Sequence, residues 1–383
     1  MDFKLNDEQR MLEETVGRLV RDAYGFETRE KNRNSALGFS TEMWQQLAEL
    51  GLLGVPFSEE LGGFNGGGQE LMVVVEGFGR ALLLEPYLAT VVLSGTVIDR
   101  LGSDEQKAQL LGSIIGGEQR FALAAYEGQA FYDHTQVTTR AVANADGYLL
   151  NGSKAVVLHG DSADQLVVIA RTSGDDGDAA GLTAFVVAAD AAGVSRRGYP
   201  TVDGLRAAEI SFDNVQLAAA ARLGDEGAAL PALEAAIERG IVALCAEACG
   251  AMEVACDQTL EYIKERQQFG VAIGRFQALQ HRMVDMRMAL EKARSMTILA
   301  ACSLELPAAE RQRRLAAAKL IIGKTGRLVS EEAIQLHGGM GMMDETAVSH
   351  YAKRLVMIDH QLGDQQYHLQ RLSALLAVDD DVA

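Results

Sequence analysis

Proline is scarce, at 5 residues in 383, and a proline inside a helix removes a hydrogen bond and clashes with the preceding turn, so long helices are permitted here. Cysteine is scarce too. Cys245, Cys249, Cys256 and Cys302 have no histidine at metal-ligand spacing, so no metal site is expected, and they are too few for a disulfide scaffold. The first three share a helical period with Ala248, Ala251 and Met252 and read as small core residues of a reducing, cytoplasmic protein. No apolar run approaches the roughly 18 residues of a membrane helix, and no basic-then-apolar leader opens the sequence. Neither membrane insertion nor secretion is expected. Positive charge is also in deficit. With 35 Lys and Arg against 53 Asp and Glu, the net charge is −18, which repels nucleic acid unless a basic patch is concentrated somewhere. The densest such cluster, Arg311, Arg313 and Arg314, adjoins Glu310 and an alanine-rich stretch and reads as a solvated turn entering a helix.

What is present is a long chain with 48% hydrophobic residues, more than one core usually serves, so two or three domains are expected. Up to residue 120 the period is helical. Asn6 caps a first helix with Gln9 at the reciprocal position, Met43, Trp44 and Leu47 form a second stripe stopped by Gly51, and Leu71 to Phe78 make a third. From 121 to 222 the period falls to two. Strands are expected at Leu166 to Ala170, Leu182 to Ala188 and Glu209 to Val215, and Asn151-Gly152 reads as the turn of a hairpin between Tyr148-Leu149-Leu150 and Ala155 to Leu158. From 223 to 383 helical periodicity returns, with long stretches near 228–266, 276–304, 308–337 and 346–376 that suggest a four-helix bundle. The fold class is therefore mainly α, with a central β-domain of sandwich or barrel type.

Several strings carry chemistry. Glu265-Arg266-Gln267-Gln268-Phe269-Gly270, followed by Phe276-Gln277, places a guanidinium beside an aromatic residue, and Gln335-Leu336-His337-Gly338-Gly339-Met340-Gly341 is a glycine cluster at a helix end. A guanidinium forms forked, charge-assisted hydrogen bonds to phosphate, and glycines let a backbone approach a nucleotide and offer its N–H groups. Together with the Tyr148 to Lys154 segment and a pattern over Trp44 to Gly63, these strings resemble the acyl-CoA dehydrogenase family over essentially the whole chain. Val156 to Ser162, Ala243 to Gly250 and Ile358 to Asp364 are most similar to subunits of heteromeric members, such as the small subunit of pimeloyl-CoA dehydrogenase.

The resemblance implies FAD, an acyl-CoA thioester as substrate, an electron-transfer flavoprotein or similar acceptor, and a homo- or heterotetramer. It implies that Arg266, Phe269, Gln277, Gln335 and Gly339, with Gly338 beside them, embrace the adenosine half of an FAD held mainly by the neighbouring subunit. For the flavin ring, the family's V-T-E-P-x-x-G-S-D run falls on Ala125 to Asp133, where Glu127 and Asp133 persist and Tyr132 replaces the serine. The tryptophan and threonine that usually follow are Val156 and Leu158, so Ala125, Val156 and Leu158 mark a wall with backbone donors and few side-chain ones. The family places its catalytic carboxylate at one of two positions, which fall here on Glu238, before Arg239, and on Asp364. Asp364 is one methylene shorter than the usual glutamate, setting its carboxylate roughly 1.5 Å back, so Glu238 is the preferred base. A second reading is a partner subunit that lends Arg266 and Gln335 to a companion's flavin and has no chemistry of its own.

Overall fold

The computed structural model describes residues 4–380. Its helices are α1 (Asp7–Ala23), α2 (Phe26–Arg33), α3 (Thr41–Glu49), α4 (Gly68–Ala81), α5 (Gly95–Leu101), α6 (Asp104–Ile115), α7 (Leu230–Glu265), α8 (Gln277–Ala301), α9 (Ala308–His337), α10 (Ala347–His360) and α11 (Gln365–Asp380). Between α6 and α7 run β1 (Phe121–Ala124), β2 (Arg140–Asn144), β3 (Gly147–Leu158), β4 (Gln165–Arg171), β5 (Leu182–Ala188), β6 (Val194–Pro200), β7 (Arg206–Ala218) and β8 (Arg222–Leu223). A small hairpin, β9 (Gln267–Gln268) and β10 (Val271–Ala272), follows α7. The expected class holds: a mainly helical chain with a mixed sheet in its middle. Among the described residues, no helix is long and apolar enough to cross a membrane.

By internal packing the chain forms two compact units. The first takes in residues up to Lys31, Gly67–Leu83 and the chain from Ile241 onward; the second takes in Asn32–Gly66 and Leu84–Gly240. In the first unit α9 packs against α8, α10 and α11, and α1 packs on α4. The capping box that starts α1 is formed as its sequence suggests, with Asn6 Oδ1 accepting from Gln9 N–H at 2.8 Å and Gln9 Oε1 accepting from Asn6 N–H at 3.0 Å. Cys245, Cys249 and Cys256 are buried on α7, and burial pushes the Cys245 and Cys256 thiols up to about 12, so they are inert packing groups. Half-buried ion pairs tie the helices: Arg80 of α4 reaches Glu253 of α7 at 2.7 Å, and Arg354 of α10 reaches Glu247 of α7 with its second nitrogen at 2.7 Å.

In the second unit the sheet order is β6-β7-β3-β2-β4-β5-β8, with β1 parallel to β4. Leu150, Leu166, Val168, Phe185, Ile210, Phe212 and Val215 pack in its core. Tyr148 meets Phe185 edge-on at 5.0 Å.

Two expectations need correction. Asn151-Gly152 is no hairpin turn, because β3 runs unbroken through it; the two-residue turn is Ala145-Asp146, closed by the Asn144 and Gly147 pair. Asn151 instead accepts the Asn214 N–H of β7 at 2.8 Å, where the register slips. Gly152 adopts φ 143°, and a Cβ there would lie 2.6 Å from Thr139 Cα, so the glycine serves close strand approach. The fourth bundle helix is also two, α10 and α11. It breaks because Leu362 and Gly363 take left-handed φ values of 55° and 104°, which no helix continues through.

Candidate active site

In the first unit α7 ends at Glu265 and turns at once into the β9–β10 hairpin, framed by Ile273 N–H donating to Arg266 O at 2.8 Å. Phe269 and Gly270 at the tip have φ of 54° and 81°, the sign that suits a two-residue hairpin loop. The Phe269 ring is 92% exposed and meets Phe276 edge-on at 6.2 Å. Burying such a ring is worth about 1.5–3 kcal/mol, so its placement at a tip suits a surface outside this chain. The exposed Arg266 guanidinium makes no ion pair among the described residues.

A ring stack brings the glycine cluster to this hairpin. Tyr262, one turn before Arg266, lies on His337 with centroids 4.3 Å apart. His337 is buried and its Nδ1 lies 2.9 Å from Ala333 O; burial pushes its titration below the usual histidine range. Gly338 follows with φ 61° and ψ −142°, and Gly339 has open space where a Cβ would stand. Gln335 at the end of α9 and Gln277 at the start of α8 are both exposed. A forked cation, approachable backbone, two amides and an aromatic face form a donor set that fits a pyrophosphate and a purine. Arg266, Phe269, Gln277, Gln335, Gly338 and Gly339 thus share one unit and one exposed region.

In the second unit the ring-wall residues lie on β3 and the loop after β1. Ala125 is buried, and its carbonyl accepts from Lys154 Nζ at 3.0 Å. Lys154 is itself fully buried and pairs with Glu127 at 2.8 Å, while Glu127 also accepts the backbone N–H groups of Thr138 and Thr139 at 2.9 and 3.0 Å. Burial would raise the Glu127 carboxyl, but Lys154 and these donors hold it at about 2; burial brings Lys154 down to about 8 against the pull of Glu127. Glu127 persists for architecture. Phe131, where the family run has glycine, takes a left-handed backbone at φ 47° with its ring 84% exposed. Val156 is left-handed too, at φ 51° and 55% exposed, where β3 bulges against β7. For a β-branched residue this conformation is strained. Leu158 is half-buried, and His159 is buried edge-on to Phe39 at 6.1 Å. The wall therefore offers apolar surface and backbone, consistent with an aromatic ring face.

The two acids differ in setting. Glu238 is 7% exposed on the first third of α7. Asp364 is half-buried, and its Oδ1 accepts the Tyr367 N–H at 2.8 Å while its carbonyl accepts from His368 N–H at 3.0 Å. It is the N-terminal cap of α11, so one carboxylate oxygen is already engaged. Sequence reasoning passed over Lys319, a single lysine between buried Ala318 and Leu320, and that pattern was the available signal. It also passed over a cluster of Glu30, Asp344 and His350, but cations already fill it: Arg29 donates to Glu30 at 2.9 Å and lies 3.1 Å from His350 Nδ1, and Lys353 donates to Asp344 at 2.8 Å.

Three family profiles match this chain: the acyl-CoA dehydrogenase N-terminal domain over residues 6–118, the middle domain over 122–215 and the C-terminal domain over 227–375. The chain is 30% identical over 377 residues to the probable acyl-CoA dehydrogenase YngJ of Bacillus subtilis, covering 97% of this chain and 98% of the relative. Among solved structures, an FAD complex of PigA superposes with a TM-score of 0.91 at 26% identity, covering 99% of this chain and 100% of that one. The ChsE4-ChsE5 complex of Mycobacterium tuberculosis gives a TM-score of 0.89 at 25% identity, covering 98% of this chain and 99% of that one.

Proposed function

The chain belongs to the acyl-CoA dehydrogenase family of FAD-dependent oxidoreductases, and from that membership we propose that it desaturates an acyl-CoA thioester between Cα and Cβ with Glu238 as the base. Bound FAD supplies the acceptor for the β-hydrogen. Glu238 takes the α-proton from its buried place on α7. The observation that carries the choice is the Tyr367 N–H on Asp364: one of its carboxylate oxygens is committed to capping α11. Asp364 then borders the thioester and lends polarity. Arg266 holds the pyrophosphate in a fork, with Gly338 and Gly339 offering backbone N–H groups, Gln277 and Gln335 directing amides to the nucleotide, and Phe269 covering it. Ala125, Val156 and Leu158 line the ring of the chain's own flavin.

The exposed Phe269 tip supports a tetramer in which the adenosine set serves a neighbouring subunit's flavin. Likeness to heteromeric subunits favours a dicarboxylic or bulky acyl group, with electrons passing to an electron-transfer flavoprotein or similar acceptor. The deciding experiment is purification of the chain alone, followed by a panel of acyl-CoA thioesters. A visible flavin band that bleaches with one of them supports the enzyme. A colourless protein that gains flavin only with a second, related chain supports a non-catalytic partner, a reading favoured by the wall of Ala125, Val156 and Leu158, which lacks side-chain donors.

A further inference from the structure

Lys319 lies on α9 with 1% exposure. Its ammonium donates to the carbonyl oxygens of Ile358 at 2.9 Å, Asp359 at 3.0 Å and Gly363 at 2.8 Å. An ammonium carries three protons and a neutral amine two, so three acceptors match the charged form. All three carbonyls belong to one short stretch, from the end of α10 to the residue before Asp364. That stretch contains the left-handed pair Leu362 and Gly363. A Cβ on Gly363 would lie 2.5 Å from both His368 Nε2 and Tyr367 Cδ1, so only glycine fits. His368 Nε2 lies 3.0 Å from Leu362 O, and Gln365 donates to Asp359 Oδ2 at 2.9 Å. A left-handed turn persists where its surroundings over-determine it, and Lys319 is the buried charge among those surroundings.

We propose that Lys319 is a positioning residue for the dehydrogenation: through the carbonyls of Ile358, Asp359 and Gly363 it sets the turn that carries Asp364 along the acyl thioester. The inference rests on the reading above that puts Asp364 beside the substrate. The charged and titratable groups facing the ammonium are Asp359 and Arg354 on α10, Asp364 on the turn, His368 on α11 and Cys245 on α7. Burial brings Lys319 down to about 8, with Cys245, Asp359 and Asp364 pulling against it and Arg354 adding to the fall. Above that pH one of the three carbonyls loses its donor, so the turn loosens as pH rises.

The test uses the FAD-loaded enzyme and compares kcat per bound flavin in wild type, Lys319→Met and Lys319→Gln from pH 6 to pH 10. Because Lys319 acts through Asp364, kcat of Lys319→Met should fall by about as much as that of Asp364→Asn, with KM changing far less and the alkaline limb near pH 8 absent. Lys319→Gln keeps a neutral amide donor and should fall between the two; it carries the same reading if Lys319→Met does not accumulate as folded protein. Wild-type kcat per flavin with an unchanged pH profile in either variant, and loss confined to melting temperature, overturns the positioning role alone. A flavin-loaded wild type that turns over no thioester removes the functional reading and this inference with it.

Discussion

Tyr262 and His337 stack nearly face to face, with 4.3 Å between centroids and 24° between planes. Tyr262 belongs to α7 and His337 ends α9, so one aromatic contact sets Arg266 and Phe269 beside Gly338 and Gly339. Offset stacking contributes about 0.5–1.5 kcal/mol beyond area burial. Its larger effect is geometric, because it fixes two helix ends against each other.

Arg266→Ala should strip the cofactor. Leaving a buried diphosphate without its forked partner costs roughly 2–5 kcal/mol, which the flavin-to-protein absorbance ratio after extended dialysis will register. Full flavin occupancy in the variant would remove Arg266 from the phosphate site.

Glu238→Gln keeps shape and hydrogen bonding but cannot accept a proton, so turnover should drop at least about 100-fold with flavin retained. Asp364→Asn should cost much less. Steady-state kinetics of the two variants side by side decide between the acids, and the reverse order would move the base to Asp364.

Phe269→Ser tests assembly. With its ring 92% exposed at the hairpin tip, the wild-type chain should run as a tetramer in light scattering, alone or with a related chain. The variant should shift to smaller species and shed flavin, whereas a wild-type monomer that holds FAD tightly contradicts the arrangement.

The Glu127 and Lys154 pair predicts an acid transition. Glu127 lies at about 2 in the folded chain against an ordinary 4.5, so the unfolded chain binds more protons between those values and stability falls as pH falls through them. Above pH 4.5 the contribution is complete. Denaturation midpoints measured from pH 7 to pH 2 should decline more steeply for wild type than for Glu127→Gln, which will be less stable at neutral pH because Lys154 is left without its carboxylate. Parallel curves would mean that Glu127 titrates normally.

Much of the fold was legible in the sequence where local chemistry decides it. The Asn6 and Gln9 capping box and the strands through Leu166, Leu182 and Glu209 rest on side chains acting on their own neighbourhood. Asn151-Gly152 misled because the same dipeptide serves a turn or a strand slip, and only the Asn214 N–H across the sheet distinguishes them. The break before Asp364 was missed because Leu362 gives no sign of its left-handed backbone; Lys319, some 40 residues earlier in the chain, meets that segment only in the fold. For the site, residue types pointed to a nucleotide. The Tyr262 stack that gathers them is a tertiary fact.

The two slips between β3 and β7 cancel. The first adds a residue to β7 around Asn214 and the second adds one to β3 around Val156, so Val157 and Ala208 pair in the same frame as Tyr148 and Leu217. Only Gly152 to Lys154 run in the offset frame, and Lys154 points inward from it. Strand lengths are therefore coupled across the sheet. Losing either Asn214 or Val156 alone would throw one flank of the ladder onto the wrong face, since a one-residue shift inverts every side chain. Losing both would keep the outer frame and re-register only the central three pairs, so insertions and deletions in the two strands should be tolerated only in matched sets.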